Sequence, residues 1–350
     1  MDTVRVGVVS ASGTGRKRTL PALLSSDTCK VTAVHSRDKA KVQGLGRDFG
    51  IKHTYSDLGK MIADGQFDIA VVCSPPFLHR EQLDMLLHAG IPTLCEKPLV
   101  LSVDDALALQ ALSEQTSTLV MVAHQLRHQN TYAEIKRALA EEQIGEVDSA
   151  TFSWSYVLNP SAPNAAWKLD PFLNGPTCLS DIGVHCLDLA IGLFGPGKVW
   201  GAHSKRREAE GVIEACDMLA VHSGIRVSYE LSRLQPPVAN NLLITGSRGE
   251  ILAPDFFTER SAPVVKVTVD GKERTIAQDA GTPYRWVVED FAALALESGH
   301  DSPGTTLAEA IMACQMIEAA EAALGVAQSS AEEREDSLEQ EASMADDCER

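Results

Sequence analysis

The stretch VRVGVVSASGTG, residues 4–15, decides the fold. Residues 4–9 are short, rich in valine and free of polar alternation, which predicts a strand buried on both faces of a sheet. Gly13 and Gly15 then break the pattern, and residues 16–26 are typical of a helix apart from Pro21. A buried strand, a turn of small residues and a helix together form the unit that opens a parallel sheet.

Further strand and helix patterns alternate along the first part of the chain. They predict an α/β domain over residues 1–125, with a Rossmann-type parallel sheet. After Gly145 strand-like segments cluster, and Ser223-Gly224 lies between two of them as a hairpin signal. Residues 126–328 are therefore predicted to form an α+β domain with a mostly antiparallel open sheet, which binds substrate and forms oligomers. The pattern implies that the free face of this sheet is buried against a second subunit.

Composition excludes several classes of protein. The net charge of −17 argues against nucleic-acid binding, which needs a basic face. Nine acidic and two basic residues lie in 331–350, so residues 329–350 are predicted to be a disordered acidic tail. The eight cysteines form no CxxC pair, which predicts no metal site and suits a reducing, cytoplasmic location. The sequence shows no signal peptide and no run long enough for a membrane span.

The turn after the first strand is a candidate dinucleotide site. In the pattern G-x-G-x-x-G, which cradles a pyrophosphate at a helix N-terminus, this chain has serine at the first two positions. Serine can still form a tight turn and donate to phosphate, although the residues alone fit a plain structural turn equally well. The predicted pyrophosphate ligands are Ser10, Ser12, Gly13, Thr14 and Gly15.

The end of the second strand bears on the cofactor. Ser36-Arg37 stands about twenty residues after the turn, where an acid would normally hold the ribose 2′-hydroxyl. A hydroxyl followed by a guanidinium suits a 2′-phosphate, and Arg16, Lys17 and Arg18 add positive charge. These residues favour NADP(H), while the nearby Asp38 keeps NAD(H) open, as does the alternative that Arg37 is a solvated surface residue.

Two further segments carry a specific resemblance. CSPPFLH, residues 73–79, is followed by AGIPTLCEKP, residues 89–98. This pairing resembles the glucose–fructose oxidoreductase/inositol dehydrogenase/rhizopine catabolism (Gfo/Idh/MocA) family. The resemblance implies that Lys97 lies beside the nicotinamide as a catalytic residue. It also implies cofactor-binding roles for Ser74, Pro75, His79 and Glu96. An ammonium at a strand end can polarise a carbonyl and stabilise a developing alkoxide.

The segment LSDIGVHCLDLAIGLFG, residues 179–195, resembles the second motif of the family, D-x-G-x-H-x-x-D. On a helix Asp181 and His185 share one face, because they are four residues apart. His185 is predicted to be the acid–base group and Asp181 its partner and a substrate ligand, against the alternative of a buried structural histidine. Asp188 fits either a site or a structural role.

The sequence also departs from the family pattern. Gly175-Pro176-Thr177 replaces a glycine triplet, and Trp167-Lys168 stands where the family has Trp-Arg near the nicotinamide. Lysine keeps the charge and loses the planar fork. Trp167 and Lys168 are nevertheless counted among the predicted cofactor contacts.

The resemblance implies an NAD(P)-dependent oxidoreductase that transfers hydride between nicotinamide and a carbinol or carbonyl carbon. The implied substrate is a sugar, sugar nucleotide, cyclitol or related polyol. Together with the free face of the open sheet, the resemblance also implies a homodimer or homotetramer. Two alternatives remain open at this stage. One is a non-catalytic NAD(P)-binding regulator, which the altered glycine loop favours, and the other is a glycoside-cleaving enzyme with recycled NAD.

Overall fold

The computed structural model describes residues 3–161, 166–206, 212–234, 240–257, 264–277, 282–296 and 300–326. The predicted acidic tail, 329–350, lies outside these residues. Contacts divide the chain into two units, the first formed by Met1–Arg137 with Ala277–Cys314 and the second by Ala138–Ile276 with Gln315–Arg350. No helix in the described part of the chain has the length and apolar content that a membrane span requires.

The first unit contains a seven-stranded sheet with the order β15-β6-β5-β4-β1-β2-β3. Its strands are β1 (Val4–Val9), β2 (Cys29–His35), β3 (His53–Tyr55), β4 (Ile69–Val72), β5 (Thr93–Cys95), β6 (Val120–Val122) and β15 (Thr305–Thr306). All pairs are parallel except β15 with β6. The helices are α1 (Leu20–Leu24), α2 (Lys39–Phe49), α3 (Leu58–Asp64), α4 (His79–His88), α5 (Val103–Thr116), α6 (Asn130–Ala140) and α9 (Pro283–Leu296).

The valine run of β1 is buried on both faces, as predicted. Val6 and Val8 belong to one hydrophobic cluster and Val9 to another on the opposite face. Ser102 begins α5 by accepting a hydrogen bond from the Asp105 backbone N–H, which caps the helix. Local sequence signals therefore set these boundaries.

The return of Ala277–Cys314 to the first unit differs from the predicted boundary, which placed everything from 126 to 328 in the second domain. Val287, Val288 and Phe291 of α9 join the cluster on one face of the parallel sheet. Nearby, the Asp290 carboxylate is 2.9 Å from His128 Nε2 and 2.8 Å from His300 Nε2. Apolar burial and these polar contacts attach the segment to the first unit.

The second unit contains an eight-stranded sheet with the order β14-β13-β12-β11-β7-β10-β9-β8. Its strands are β7 (Val147–Ser155), β8 (Gly197–Arg206), β9 (Ile213–His222), β10 (Ile225–Ser232), β11 (Leu242–Gly246), β12 (Gly249–Ala253), β13 (Val264–Val269) and β14 (Lys272–Ala277). β7 and β10 run parallel, whereas β8–β9, β9–β10, β7–β11, β11–β12 and β12–β13 are antiparallel. The helices are α7 (Pro171–Asn174), α8 (Val184–Phe194) and α10 (Leu307–Ala323), the last of which extends from the first unit.

Ser223 and Gly224 form the β9–β10 hairpin turn, both with positive φ, as that turn type requires. The predicted fold class is confirmed: a Rossmann-type parallel sheet and a mostly antiparallel open sheet.

Candidate functional site

The turn after β1 is held by a network of side chains from other elements. Ser10 adopts the left-handed conformation, with φ 55° and ψ 48°, which costs energy in a residue other than glycine. Gln82 Nε2 donates to Ser10 Oγ at 3.2 Å, and Ser74 Oγ donates to Gln82 Oε1 at 2.8 Å. The network connects the ends of β1 and β4 and stabilises serine in a turn that usually takes glycine.

His35 supports the same turn from the end of β2. The Ser10 backbone N–H donates to His35 Nδ1 at 3.4 Å. Burial lowers the pKa of His35 to about 4, so that the ring is neutral near pH 7 and Nδ1 remains an acceptor. Sequence reasoning missed both Gln82 and His35, because neither belongs to a local motif.

The rest of the turn fits a pyrophosphate. Ser12, Gly13 and Thr14 are exposed at the start of the first helical segment, and a Cβ added at Gly13 would meet open space. At Gly15 a Cβ would lie 3.3 Å from Cys73 Cβ, so that glycine permits close packing of helix on strand. The exposed N–H groups and hydroxyls could bind an anion, with the helix dipole in its favour.

The end of β2 carries the exposed cation Arg37, and the neighbouring acid Asp38 is bound to groups of α2. Ser36 is buried and Arg37 is exposed. Asp38 caps α2 by accepting from the Lys41 backbone N–H at 2.9 Å, and its carboxylate lies 3.1 Å from Lys41 Nζ. The N-cap role explains Asp38 without a ribose ligand. Of the three basic residues beside the turn, Arg16 pairs with Asp48 and Arg18 donates to Tyr284.

The ends of β4 and β5 carry the Ser74-Pro75 and Glu96-Lys97 pairs at the same edge of the sheet. Glu96 is buried and Lys97 is partly exposed. His79 is fully buried, with Nδ1 2.9 Å from Pro98 O and 3.0 Å from Leu99 O, and with Nε2 2.9 Å from Ser74 O. Its ring therefore bridges two loops, and the cofactor contact of His79 stays a prediction.

Asp181 is the centre of a polar cluster in the second unit. Tyr156 Oη donates to Asp181 Oδ2 at 2.8 Å, and Lys168 Nζ lies 3.3 Å from Oδ1. Arg233 Nη1 is 3.6 Å from Oδ2. Burial and the adjacent carboxylate raise the pKa of Tyr156 far above its usual value, so its hydroxyl stays protonated and donates. Tyr156 and Arg233 are functional candidates that no sequence motif indicated.

Asp181 lies in a π-type turn, Leu179–Gly183, directly before α8. A Cβ on Gly183 would lie 2.9 Å from Leu179 and Leu231 side chains, so glycine lets this turn pack on β10. His185 is buried in the first turn of α8, and its ring centroid is 5.2 Å from that of Trp154. Asp188 is 1% exposed, which favours the structural role. Lys168 Nζ also lies 5.7 Å from the Trp167 ring centroid.

Among the described residues no group of histidine, cysteine, aspartate and glutamate side chains has an arrangement that could hold a metal ion. The first unit offers Lys97 and a turn whose exposed N–H groups and hydroxyls could bind an anion. The second unit offers the Asp181 carboxylate and, four residues later, the buried His185 imidazole.

The Ser74–Gln82–Ser10 network gives a test of the turn. Gln82→Leu removes both hydrogen bonds while keeping the side-chain size. We expect NADPH affinity to fall roughly tenfold, since two such bonds contribute about 1–3 kcal/mol. Fluorescence titration measures the change. Gln66→Leu, at a partly buried glutamine that bonds to Asp64 O, is the matched control. Equal affinity in Gln82→Leu and wild type would contradict the supporting role.

Comparisons with known proteins agree with this architecture. Residues 4–124 match the model of the oxidoreductase family with an NAD-binding Rossmann fold, and residues 132–252 match the GFO/IDH/MocA C-terminal domain. D-xylose 1-dehydrogenase (NADP(+)) 2 of Haloferax volcanii is 26% identical over 316 residues, covering 89% of this chain and 95% of the relative. scyllo-Inositol 2-dehydrogenase (NADP(+)) IolU of Bacillus subtilis is 26% identical, with 88% and 94% covered.

Solved structures show the same fold. The 3-ketoreductase KijD10 of Actinomadura kijaniata, in complex with NADP and TDP-benzene, has a TM-score of 0.82 at 23% identity, with 92% of this chain and 98% of that chain covered. Aldose-aldose oxidoreductase of Caulobacter crescentus has a TM-score of 0.83 at 18% identity, with 92% and 97% covered. Both family models match in order along the chain, and the chain belongs to the Gfo/Idh/MocA family of oxidoreductases.

Proposed function

We propose that this chain transfers hydride between NADP(H) and a carbinol or carbonyl carbon of a sugar or related polyol. The observation that carries the proposal is the shared sheet edge, where the serine turn after β1 and Lys97 after β5 follow parallel strands. In open α/β sheets, dinucleotides bind at the carboxyl ends of the strands. The xylose and inositol dehydrogenases among the relatives, both named for NADP(+), support the substrate class and the cofactor.

In the oxidation direction, His185 takes the hydroxyl proton through its imidazole as the carbinol carbon becomes a carbonyl. A bound nicotinamide would supply the hydride acceptor: the carbon–hydrogen bond would give up a hydride, which is two electrons with one hydrogen nucleus, and the oxygen–hydrogen bond would give up its proton to His185. Lys97 stabilises the negative charge that develops on the substrate oxygen. Asp181, oriented by Tyr156 and Lys168, supplies a negative charge that stabilises the imidazolium formed on His185 during the transfer, and it orients the substrate. Reduction reverses each transfer.

Substitutions at Lys97 and His185 distinguish the proposed enzyme from a non-catalytic regulator of the same fold. Lys97→Met and His185→Asn should each lower kcat roughly 10²–10³-fold, because each removes a charge or proton-transfer group at the reacting oxygen. NADPH binding should persist in both variants. Steady-state assays with a panel of sugars and polyols, beside NADPH titrations, give the two readouts.

Lys30→Met, at an exposed lysine of β2, is the control for charge removal. Unchanged turnover in both site variants would favour a regulator. Turnover of a glycoside with no net change in cofactor absorbance would favour the glycoside-cleaving alternative.

Arg37 is the residue that we propose for the 2′-phosphate of NADP(H). Arg37→Ala should weaken NADPH binding about 10–100-fold, as expected for loss of charge-assisted hydrogen bonds, and leave NADH binding unchanged. Parallel titrations with both nucleotides measure the preference. Arg47→Ala, an exposed arginine on α2, should change neither affinity. A wild-type protein that binds NADH more tightly would exclude this role and leave the enzyme proposal intact.

We also propose that the open face of the eight-stranded sheet packs on a second copy of the chain. A broad cavity of about 1030 Å³ lies on this face, between residues of β7, β8, β9 and β10. Trp200, the extra residue in the irregular β8–β9 register, is 65% exposed there, and Leu219 is 37% exposed. An exposed tryptophan beside aliphatic surface is typical of an interface centre. The seven cysteines in the described residues are all buried thiols, which supports a cytoplasmic location for this assembly.

Trp200→Glu tests that interface. Wild type should show a mass of two or four 37.6 kDa chains in light scattering, and the variant should shift towards the single chain because a buried carboxylate opposes association. Leu107→Glu, on α5 of the first unit and 45% exposed, should leave the mass unchanged. A monomeric wild type would exclude the interface.

A further inference from the structure

Two fully buried charges of opposite sign lie behind Asp181 in the second unit. Glu214 belongs to β9 and Arg233 directly follows β10, and both are 0% exposed. Arg233 Nε is 3.9 Å from Glu214 Oε2, while Nη1 of the same guanidinium is 3.6 Å from Asp181 Oδ2. Lys168 Nζ lies 3.3 Å from Asp181 Oδ1. The charges therefore alternate in sign from buried Glu214 through Arg233 and Asp181 to the partly exposed lysine.

This arrangement is costly as a purely structural device. Removing two ions from water is expensive, and apolar side chains of similar volume often stabilise a core as well or better. The presence of the buried Arg233–Glu214 pair is explained if its charges act on a neighbouring residue. Asp181 is that neighbour, since its Oδ2 lies 3.6 Å from Arg233 Nη1.

The Arg233 guanidinium also fixes backbone near the site. Its Nη1 donates to the Lys168 carbonyl at 3.3 Å, so one group holds both the Asp181 carboxylate and the turn that carries Lys168. The strand that carries Glu214 also holds the segment directly before the π-type turn of Asp181. Ile213 N donates to Pro176 O at 2.9 Å, and Cys178 N donates to Ile213 O at 2.8 Å. These bonds anchor the segment that leads into Asp181.

We propose that Arg233 and Glu214 are positioning residues for the Asp181–His185 pair. Arg233 orients the Asp181 carboxylate and balances its charge, and Glu214 limits how much of the positive charge of Arg233 acts on Asp181. This inference rests on the proposed hydride-transfer function. It adds two residues that lie outside both family motifs and do not themselves touch substrate.

The effect of Arg233 and Glu214 on Asp181 can be measured in a pH–activity profile, because the variants leave the other groups around Asp181 in place. Tyr156 and Lys168 face the carboxylate from neighbouring segments, and Cys178 lies on the same helical turn. Burial raises the pKa of both Tyr156 and Cys178, so that both stay neutral over the working range. Lys168 keeps its own side chain in every variant. Altering Glu214 or Arg233 therefore changes the fixed charge at Asp181 and, one helical turn on, at His185.

The experiment compares Glu214→Gln with the double variant Glu214→Gln/Arg233→Gln. The single variant releases the charge of Arg233 towards Asp181, so the pH at which kcat/KM reaches half its maximum in the oxidation direction should fall by roughly half a pH unit. The double variant removes both charges and leaves no buried ion uncompensated. Its half-maximum should move the opposite way, to higher pH, because Asp181 loses one of its two neighbouring counter-charges.

Arg233→Lys adds a test of geometry. A compact ammonium keeps the charge and cannot reach Asp181, Glu214 and the Lys168 carbonyl together. We expect kcat to fall roughly tenfold, which is about 1.4 kcal/mol, while KM for NADPH stays unchanged. Arg226→Gln, at an exposed arginine of β10 that pairs with Asp148, is the matched control and should leave the profile in place.

The outcomes separate the two proposals. Opposite shifts in the single and double variants, with NADPH affinity intact, support the positioning role. An active wild type with superimposable profiles for all variants overturns the inference and leaves the proposed function standing. A wild type that binds NADPH and oxidises or reduces no sugar or polyol overturns both. If Glu214→Gln alone does not fold, a wild-type profile in the double variant still overturns the inference.

Discussion

The parallel pairing of β1, β4 and β5 is the constraint on which the candidate site residues of the first unit depend. Their hydrogen-bond ladder extends past the strand ends, since Cys73 N donates to Val9 O and Glu96 N donates to Val72 O. The residue that follows each ladder bond is thereby fixed at the carboxyl edge of the sheet. Ser10, Ser74 and Lys97 all occupy such positions, so regular backbone pairing brings chemistry-bearing residues together from widely separated parts of the chain.

Buried polar side chains then connect the loops that follow these strands. Gln82 connects Ser74 to Ser10, and His79 connects Ser74 O to the carbonyls of Pro98 and Leu99. A serine at positive φ is strained by itself and persists where the surroundings determine its conformation. The turn therefore keeps its conformation with serine in place of glycine, because neighbouring side chains support it. This weakens the case for a non-catalytic regulator, which the sequence alone left open.

How much the sequence predicts depends on the range of the interaction. The β1 strand and the Ser223-Gly224 hairpin follow from neighbours in sequence, and both are confirmed. The return of α9 and β15 to the first unit depends on an apolar helix face and a two-residue strand, which no periodicity assigns to either domain. His35, Gln82, Tyr156 and Arg233 escaped prediction for the same reason, because each acts on a residue far away along the chain.

The two units fix their predicted catalytic residues by different physical means. Lys97 follows a strand, and its backbone is set by ladder hydrogen bonds. Asp181 lies in a π-type turn, where Gly183 N donates to Cys178 O at 3.2 Å, and such turns interrupt regular helices at functional sites. Backbone regularity is weakest there, so the direction of the carboxylate must come from side chains. Tyr156, Lys168 and Arg233 supply it, and a carboxylate held from three sides needs the opposing charge of Glu214 to keep Arg233 from neutralising it fully.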